Sequence, residues 1–299
     1  MNFKTSNTRR KGFTILELMV AMTITAIIVG VLVSITGTAI DTWNRSRNEL
    51  RAARQAEAMI KIMSKDLESL VVRSDRQQEW LSARLMPPTE GGSTNAARLI
   101  FFTAATDRYE GQVGVTGVDE GGDISCVAYQ LDWKDPVAAG AQQFETFVLN
   151  RHIVDPDDTF ENLLGQTDDV NTLDVVFNNN YGTQIDQDRN FVCENIFQFT
   201  MVFHIDVVDA TGNLQTELVS VSPSTAGKTA LQVKHNIIQT TPEQIDLSFG
   251  VLTAVEVSIT VLSDPAIAQL RANQALAEDS DWLSANSYNF TRLVQVPRK

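Results

Sequence analysis

Four sets of residues in this 299-residue chain carry chemistry worth weighing. The first is Gly12-Phe13 with Glu17 four residues on, preceded by Lys4, Arg9, Arg10 and Lys11 and no acid. An ordinary secretory signal is cut after its apolar stretch, beside small residues. Here the one signal-like junction, Gly12/Phe13, stands before the apolar stretch, so a cut would leave Phe13 as a new amino terminus. The second set is the histidines, His152, His204 and His235, no two of which share a metal-ligand spacing. The third is Cys126 and Cys193, which either pair as a disulfide or stand as two buried thiols. The fourth is a series of acidic loops, among them Asp155-Pro156-Asp157-Asp158 and Asp186-Gln187-Asp188. Calcium takes six to eight oxygens on a flexible loop, so these are candidate calcium ligands; solvated surface acids are the alternative. Gly227-Lys228-Thr229 imitates the end of a phosphate loop, but Ser222 stands where its first glycine belongs. No Gly-x-Ser-x-Gly elbow and no nucleophile–base constellation can be named, and the chain reads as non-enzymatic, with no cofactor beyond that calcium option.

The elements that position these residues begin with the apolar stretch. Between Phe13 and Ile40 lie 28 residues whose single charged side chain is Glu17. As a helix they reach about 40 Å, enough to cross the hydrocarbon of a bilayer. The basic cluster keeps the amino terminus cytoplasmic, which places the rest of the chain on the other side. An ionisable group inside a membrane segment is costly, and this marks Glu17 as functional. Its own helix leaves the carboxylate short of partners, and a neighbouring subunit's amino group at the same depth would complete it.

Beyond Ile40, Ala53, Ala56, Ile60, Met63, Leu67 and Leu70 recur at spacings of three and four, an amphipathic face. No Pro or Gly interrupts Thr38 to Trp80, so one helix is predicted over 13–80, transmembrane over 13–40. Met86-Pro87-Pro88 and Gly91-Gly92 then punctuate the chain. Strands are predicted at Arg98–Thr103, Ile124–Trp133, Phe144–His152, Asn195–Ile205, Leu252–Leu262 and Phe290–Val296, with a short helix from Asp264 to Leu276. The pattern predicts an α+β fold: a long N-terminal helix packed on a head of antiparallel β-sheet over 81–299, behind a segment 1–12 that is removed.

The formal net charge is −13; without the four leader positives, 20 Lys and Arg face 37 acids, a net of −17. So acidic a chain is unsuited to holding nucleic acid or anionic lipid by charge. A hydrophobic fraction of 43% suffices for a packed core.

Lys11-Gly12-Phe13-Thr14-Ile15-Leu16-Glu17-Leu18 resembles the class III leader of type IV pilins and type II secretion pseudopilins. The resemblance implies a pilin-like fold, cleavage after Gly12 by a membrane prepilin peptidase, methylation of Phe13 and a subunit-packing role for Glu17. Val127-x-Tyr129-x-Leu131 with Leu149-x-Arg151, then Asn195-Ile196-Phe197, Ala254–Val261 and Arg292, is similar to strands of the J-type minor pseudopilin. That likeness implies a minor pseudopilin that nucleates or caps a type II secretion pseudopilus. It would sit single-pass in the inner membrane with a periplasmic head, beside other minor and major pseudopilins. The head departs from the family through apparent insertions at 105–123, 153–190 and 206–250. A lineage-specific pilin-like relative, a minor type IV pilin and an anchored periplasmic binding domain that never polymerises are the alternatives.

Overall fold

The computed structural model describes residues 12, 14–72, 78–104, 123–136, 144–164, 166–167, 171–208, 212–223, 227–234, 237–242, 247 and 249–297. Phe13, the leader before Gly12, His235 and residues 105–122 of the first insertion lie outside them. The chain divides into two compact units, Met1–Glu49 and Leu50–Lys299.

The first unit is helical. Helix α1 (Ile15–Glu68) starts in it and is long and apolar enough to cross a membrane, with a mean hydropathy of 2.6 in its most apolar window and none of that window buried. Thr23, Thr25, Thr36, Thr38 and Thr42 fold their hydroxyls back onto the carbonyls four residues earlier, satisfying polar groups within an apolar helix.

The second unit, from Leu50 on, holds the rest of α1 and two antiparallel sheets. The larger sheet contains β1 (Glu79–Leu85), β2 (Ala97–Thr103), β3 (Ser125–Lys134), β4 (Thr146–Val154), β5 (Phe191–Glu194), β8 (Ala230–Lys234) and β9 (Ile237–Thr241). Their spatial order is β5-β4-β3-β2-β1-β8-β9. The smaller sheet contains β6 (Ile196–Val208), β7 (Leu214–Val221), β10 (Val251–Leu262) and β11 (Ser287–Gln295), in the order β11-β10-β6-β7. Four short helices complete the unit: α2 (Pro156–Asn162), α3 (Leu173–Tyr181), α4 (Asp264–Ala272) and α5 (Ser280–Asn286). The α+β class expected from the sequence is the one observed.

One expectation needs correction. The helix ends at Glu68 rather than near Trp80. After a tightened last turn, the Val71 N–H bonds to the Phe102 carbonyl, Leu70 bridges to Thr103, and Glu79–Leu85 becomes strand β1, paired on both edges. Tertiary pairing overrides a stretch that lacked Gly and Pro and therefore read as helix. The stripe expected along the helix is buried at Ala56, Ile60, Met63, Leu67 and Leu70, and differs only at Ala53. The buried face of α1 runs through Ala52, Ala56, Met59, Ile60, Met63 and Leu67, leaves Ala53 half-buried, and takes in Ser64 and Asp66.

The larger sheet is covered on both faces, so β2 is buried throughout and β3 and β4 nearly so. Thr103, Tyr129 and Arg151 reach α1 on one face, while Arg84, Arg98 and His152 reach α3 on the other. Helices α2 and α3 both belong to the segment read as an insertion at 153–190; it is the cover of the sheet's outer face. The segment 206–250 supplies β7, β8 and β9. The smaller sheet keeps one face open, and β6 alternates in consequence: Phe197, Phe199, Met201, Phe203 and Ile205 are buried, with the residues between them more exposed.

Candidate functional site

At the amino-terminal end the chemistry is built on one turn of helix. Thr14 precedes the first residue of α1, and Glu17 stands three residues further on. The Thr14 N–H donates to Glu17 Oε2 at 3.0 Å, the Thr14 hydroxyl donates to the same oxygen at 3.1 Å, and the Glu17 N–H donates to Thr14 Oγ1 at 3.2 Å. This reciprocal arrangement is a capping box, which satisfies amide groups that the first turn of a helix otherwise leaves open. The carboxylate, expected to be short of partners in its own helix, thus takes two hydrogen bonds from Thr14, both on Oε2. The Thr-x-x-Glu spacing was readable in the sequence. Gly12 is exposed, and a Cβ built on it would meet nothing within 4 Å. Packing among the described residues therefore does not demand glycine there.

Residues 7–33 match the prokaryotic N-terminal methylation motif. The match spans Gly12, Phe13, Glu17 and the first part of the apolar helix, and it supports a type IV pilin- or pseudopilin-like protein made to assemble with others of its kind and to be processed by a prepilin peptidase. It leaves the head outside its span. Comparison with curated proteins and with solved structures returned no match. What the head does must come from its own residues.

The head grips its section of α1 through a buried charge. Asp66, on the buried stripe, receives Arg151 Nε and Nη2 at 2.7 Å each and the Tyr129 hydroxyl at 2.5 Å. Tyr129 and Arg151 are direct partners across β3 and β4, so the two strands present a fork and a hydroxyl to one carboxylate. All three side chains are almost wholly buried, and burial first, then the neighbouring Asp66 charge, pushes the Tyr129 phenol up. Thr103 adds a hydrogen bond to the Asp66 carbonyl at 2.9 Å. The Tyr and Arg quoted in the strand resemblance thus meet at one acid that the sequence left unremarked.

A second grip lies where the chain passes between sheets. Arg51 bonds to Glu194 at 3.0 Å and pairs with Asp264 at the start of α4. Asn195 joins β5 to β6 at φ +65, a conformation Asn tolerates, and its side chain binds Asp264 at 2.7 Å and Thr146 at 2.6 Å. One arginine of α1 thereby touches the exits of both sheets.

On the outer face, Asp174 of α3 is paired with buried Arg98 and with Arg84 at 3.0 Å. Glu79, at the start of β1, accepts the Leu173 N–H at 2.8 Å and so caps α3 from a distance in sequence. Burial, and secondarily the Asp174 charge, lifts its carboxyl to about 7 against the bonds that favour ionisation.

The cysteines do not pair. Cys126 is opposite Val154 on β4 and Cys193 opposite Leu149, five residues along that strand and on its other side. At about 3.3 Å per residue this separation far exceeds the reach of a disulfide. Both are buried free thiols, pushed up by burial, Cys193 to about 12.

The candidate calcium ligands fall into two places. Asp155 and Asp158 line a polar cleft with Tyr181, Gln184, Arg189 and Asn190; Asp157 shares the first turn of α2. Asp186 and Asp188 lie by Lys134, whose ammonium donates to the Asp186 carbonyl and stands 3.6 Å from the Asp188 carboxylate. Among the described residues no three His, Cys, Asp or Glu side chains gather as a metal site. The His152 ring sits among Phe177 and Tyr181, and His204 is 3.8 Å from Glu256 on the open sheet face.

Proposed function

We propose that this chain is a non-enzymatic assembly subunit of a pilin-like filament, a minor pseudopilin that helps nucleate or cap a type II secretion pseudopilus. The methylation motif over residues 7–33, ahead of a long apolar helix, carries the reading. Cleavage after Gly12 frees the Phe13 amino group at the head of α1. The subunit then waits in the inner membrane with its head in the periplasm, until neighbouring pseudopilins draw its helix into the filament.

The interior of the head supports the same reading. Residues Ala52 to Leu67 of α1 belong to the hydrophobic core, and Asp66 is held by strands β3 and β4. A tethered binding domain needs only a linker to its anchor. Here the helix that carries the motif is itself a core element of the head, the design suited to a subunit handled through its helix. The strand likeness around Tyr129 and Arg151 favours the J-type position among minor pseudopilins.

Intact mass and N-terminal sequencing of the protein from its own membranes test the proposal. The mature chain should begin at a methylated Phe13. A chain retaining residues 1–12 would point instead to a signal-anchored binding domain and would remove the filament reading.

A further inference from the structure

The open face of the smaller sheet is polar over most of its area. Thr200 and Gln198 on β6, Ser258 and Thr260 on β10, and Asn289 and Thr291 on β11 form a hydroxyl and amide surface, with Ser258–Thr291 at 2.9 Å and Thr260–Asn289 at 2.8 Å. At one end this changes abruptly. Val208 of β6 lies directly opposite Leu214 of β7, and both are 68% exposed. On the other side of β6, Asp206 is opposite Val251. Phe249 stands two residues earlier, in the turn that leads into β10 and is closed by the Gly250 N–H on the Leu247 carbonyl at 2.9 Å. The intervening Gly250 is packed close to β6, where a Cβ would lie 2.7 Å from Ile205 and 3.2 Å from Val207. Leu218 follows Leu214 on the same face of β7.

Phe249 is the least explicable of these as a fold residue. It is 84% exposed and sits at φ +66, in the left-handed region that a bulky L residue occupies only at a cost. It gains neither burial nor backbone comfort from its place. A strained backbone that presents an aromatic ring to solvent, two residues from exposed Val251, is the pattern of a contact residue.

We propose that the apolar group Leu214, Val208 and Phe249, with Val251 and Leu218, is the docking surface for a different protein whose contact face is apolar at its centre and bears Lys or Arg at its rim. Charge selects that occupant. Asp206 and Glu256 stand on this face, and its described residues include no Lys or Arg. Two copies of the chain would set acid against acid, and an anionic lipid surface would be repelled in the same way. The apolar residues lie on β7, in the turn before β10 and at the ends of β6 and β10, beyond the segments Asn195–Phe197 and Ala254–Val261 that carry the family likeness, and the surface does not depend on polymerisation. The leader-processing test and the docking test can therefore fail separately.

Site-specific photo-crosslinking of the full-length protein in its own cells decides the matter, with a benzophenone amino acid at Phe249 and, as control, at Thr291 of the same sheet face. The expected result is an adduct with one other protein at least ten-fold stronger from 249 than from 291. The crosslinked peptide should have Lys or Arg beside an apolar centre. Leu214→Asp or, independently, Val208→Asp should abolish the adduct at unchanged thermal stability, and Asp206→Lys should weaken it several-fold. Yield from 249 no greater than from 291, a self-adduct of twice the chain mass, a lipid-only adduct, or an adduct indifferent to Leu214→Asp would each overturn the proposal.

Discussion

Replacing Arg151 with Met isolates the grip of the head on α1. The substitution keeps length and apolar volume but removes both hydrogen bonds to Asp66, leaving a carboxylate that is 1% exposed with the Tyr129 hydroxyl as its remaining side-chain donor. Stripping one member from a buried ion pair costs about 3–5 kcal/mol, because the other charge stays desolvated without its counter-charge. The reverse change, Asp66→Leu, strands a buried guanidinium and should cost a similar amount. The double variant removes both charges and should regain most of the loss, since apolar replacement of a buried pair is often neutral or better. Tyr129→Phe added to the double variant prevents the phenol from being left without its acceptor. Denaturant titration of the full-length protein in detergent, followed by tryptophan emission, measures each stability; Trp80 is buried beside this core and reports its loss. A coupling energy of several kcal/mol between positions 66 and 151 is expected. Single variants that each cost under about 1 kcal/mol, or a double variant as unstable as the sum of the singles, would refute the clamp.

The other predictions concern the leader, the thiols and two further carboxylates. Gly12→Leu should insert in the membrane yet remain unprocessed, seen as intact mass retaining residues 1–12, because the structure leaves room for a side chain at 12 and the restriction lies with the peptidase. Thiol titration should find both Cys126 and Cys193 slow to react when folded and two free thiols after unfolding without reductant; fewer than two would contradict the strand register. Glu79 binds its proton more tightly folded than unfolded, so its contribution is intact below about pH 4.5 and is lost as pH rises to about 7. That loss amounts to about 3 kcal/mol, so Glu79→Gln should be more stable than the parent at pH 8 and equal to it near pH 4. A stability difference independent of pH would remove Glu79 as its source. Glu17→Ala should leave insertion, cleavage and head stability intact while reducing co-purification of partner subunits, and undiminished recovery would make Glu17 a passenger.

What could be read from the sequence depended on which faces the strands expose. Strand β6 was legible because its sheet has one open face, so burial alternates along Phe197, Phe199, Met201 and Phe203. Strands β2, β3 and β4 were located, but the burial of their second faces was not legible. Arg98, Gln130, Asn150 and His152 look like solvent residues and are buried, because a cover drawn from 153–190 lies over them. Strand β1 was not foreseen, and its first two residues fell inside the helix expected over 13–80: only its two partner strands fix Glu79–Leu85 as extended. In the functional region, Gly12, Phe13 and Glu17 announced themselves through motif and charge. Asp66 did carry a signal, an acid three residues after Met63 on an otherwise apolar stripe, and its partners Tyr129 and Arg151 are 63 and 85 residues away. Distances of that kind are set by the fold, and no periodicity encodes them.

The two informative carboxylates of α1 therefore work in opposite ways. Asp66 draws its partners from strands distant in sequence, so its hydrogen bonds exist only while the head is folded. Glu17 draws its partners from Thr14, three residues away. The proposed cleavage after Gly12 would leave Thr14 as the second residue of the mature chain, so the capping box would survive processing. Glu17 is then satisfied in the free subunit and can exchange Thr14 for a neighbour's amino group at little net change in hydrogen bonding. Such an exchange favours one alignment of subunits without making the unassembled protein unstable. A filament subunit that waits in the membrane before incorporation requires that combination: a head locked to its helix beforehand, and a terminal carboxylate whose local bonds can be traded for a neighbour's.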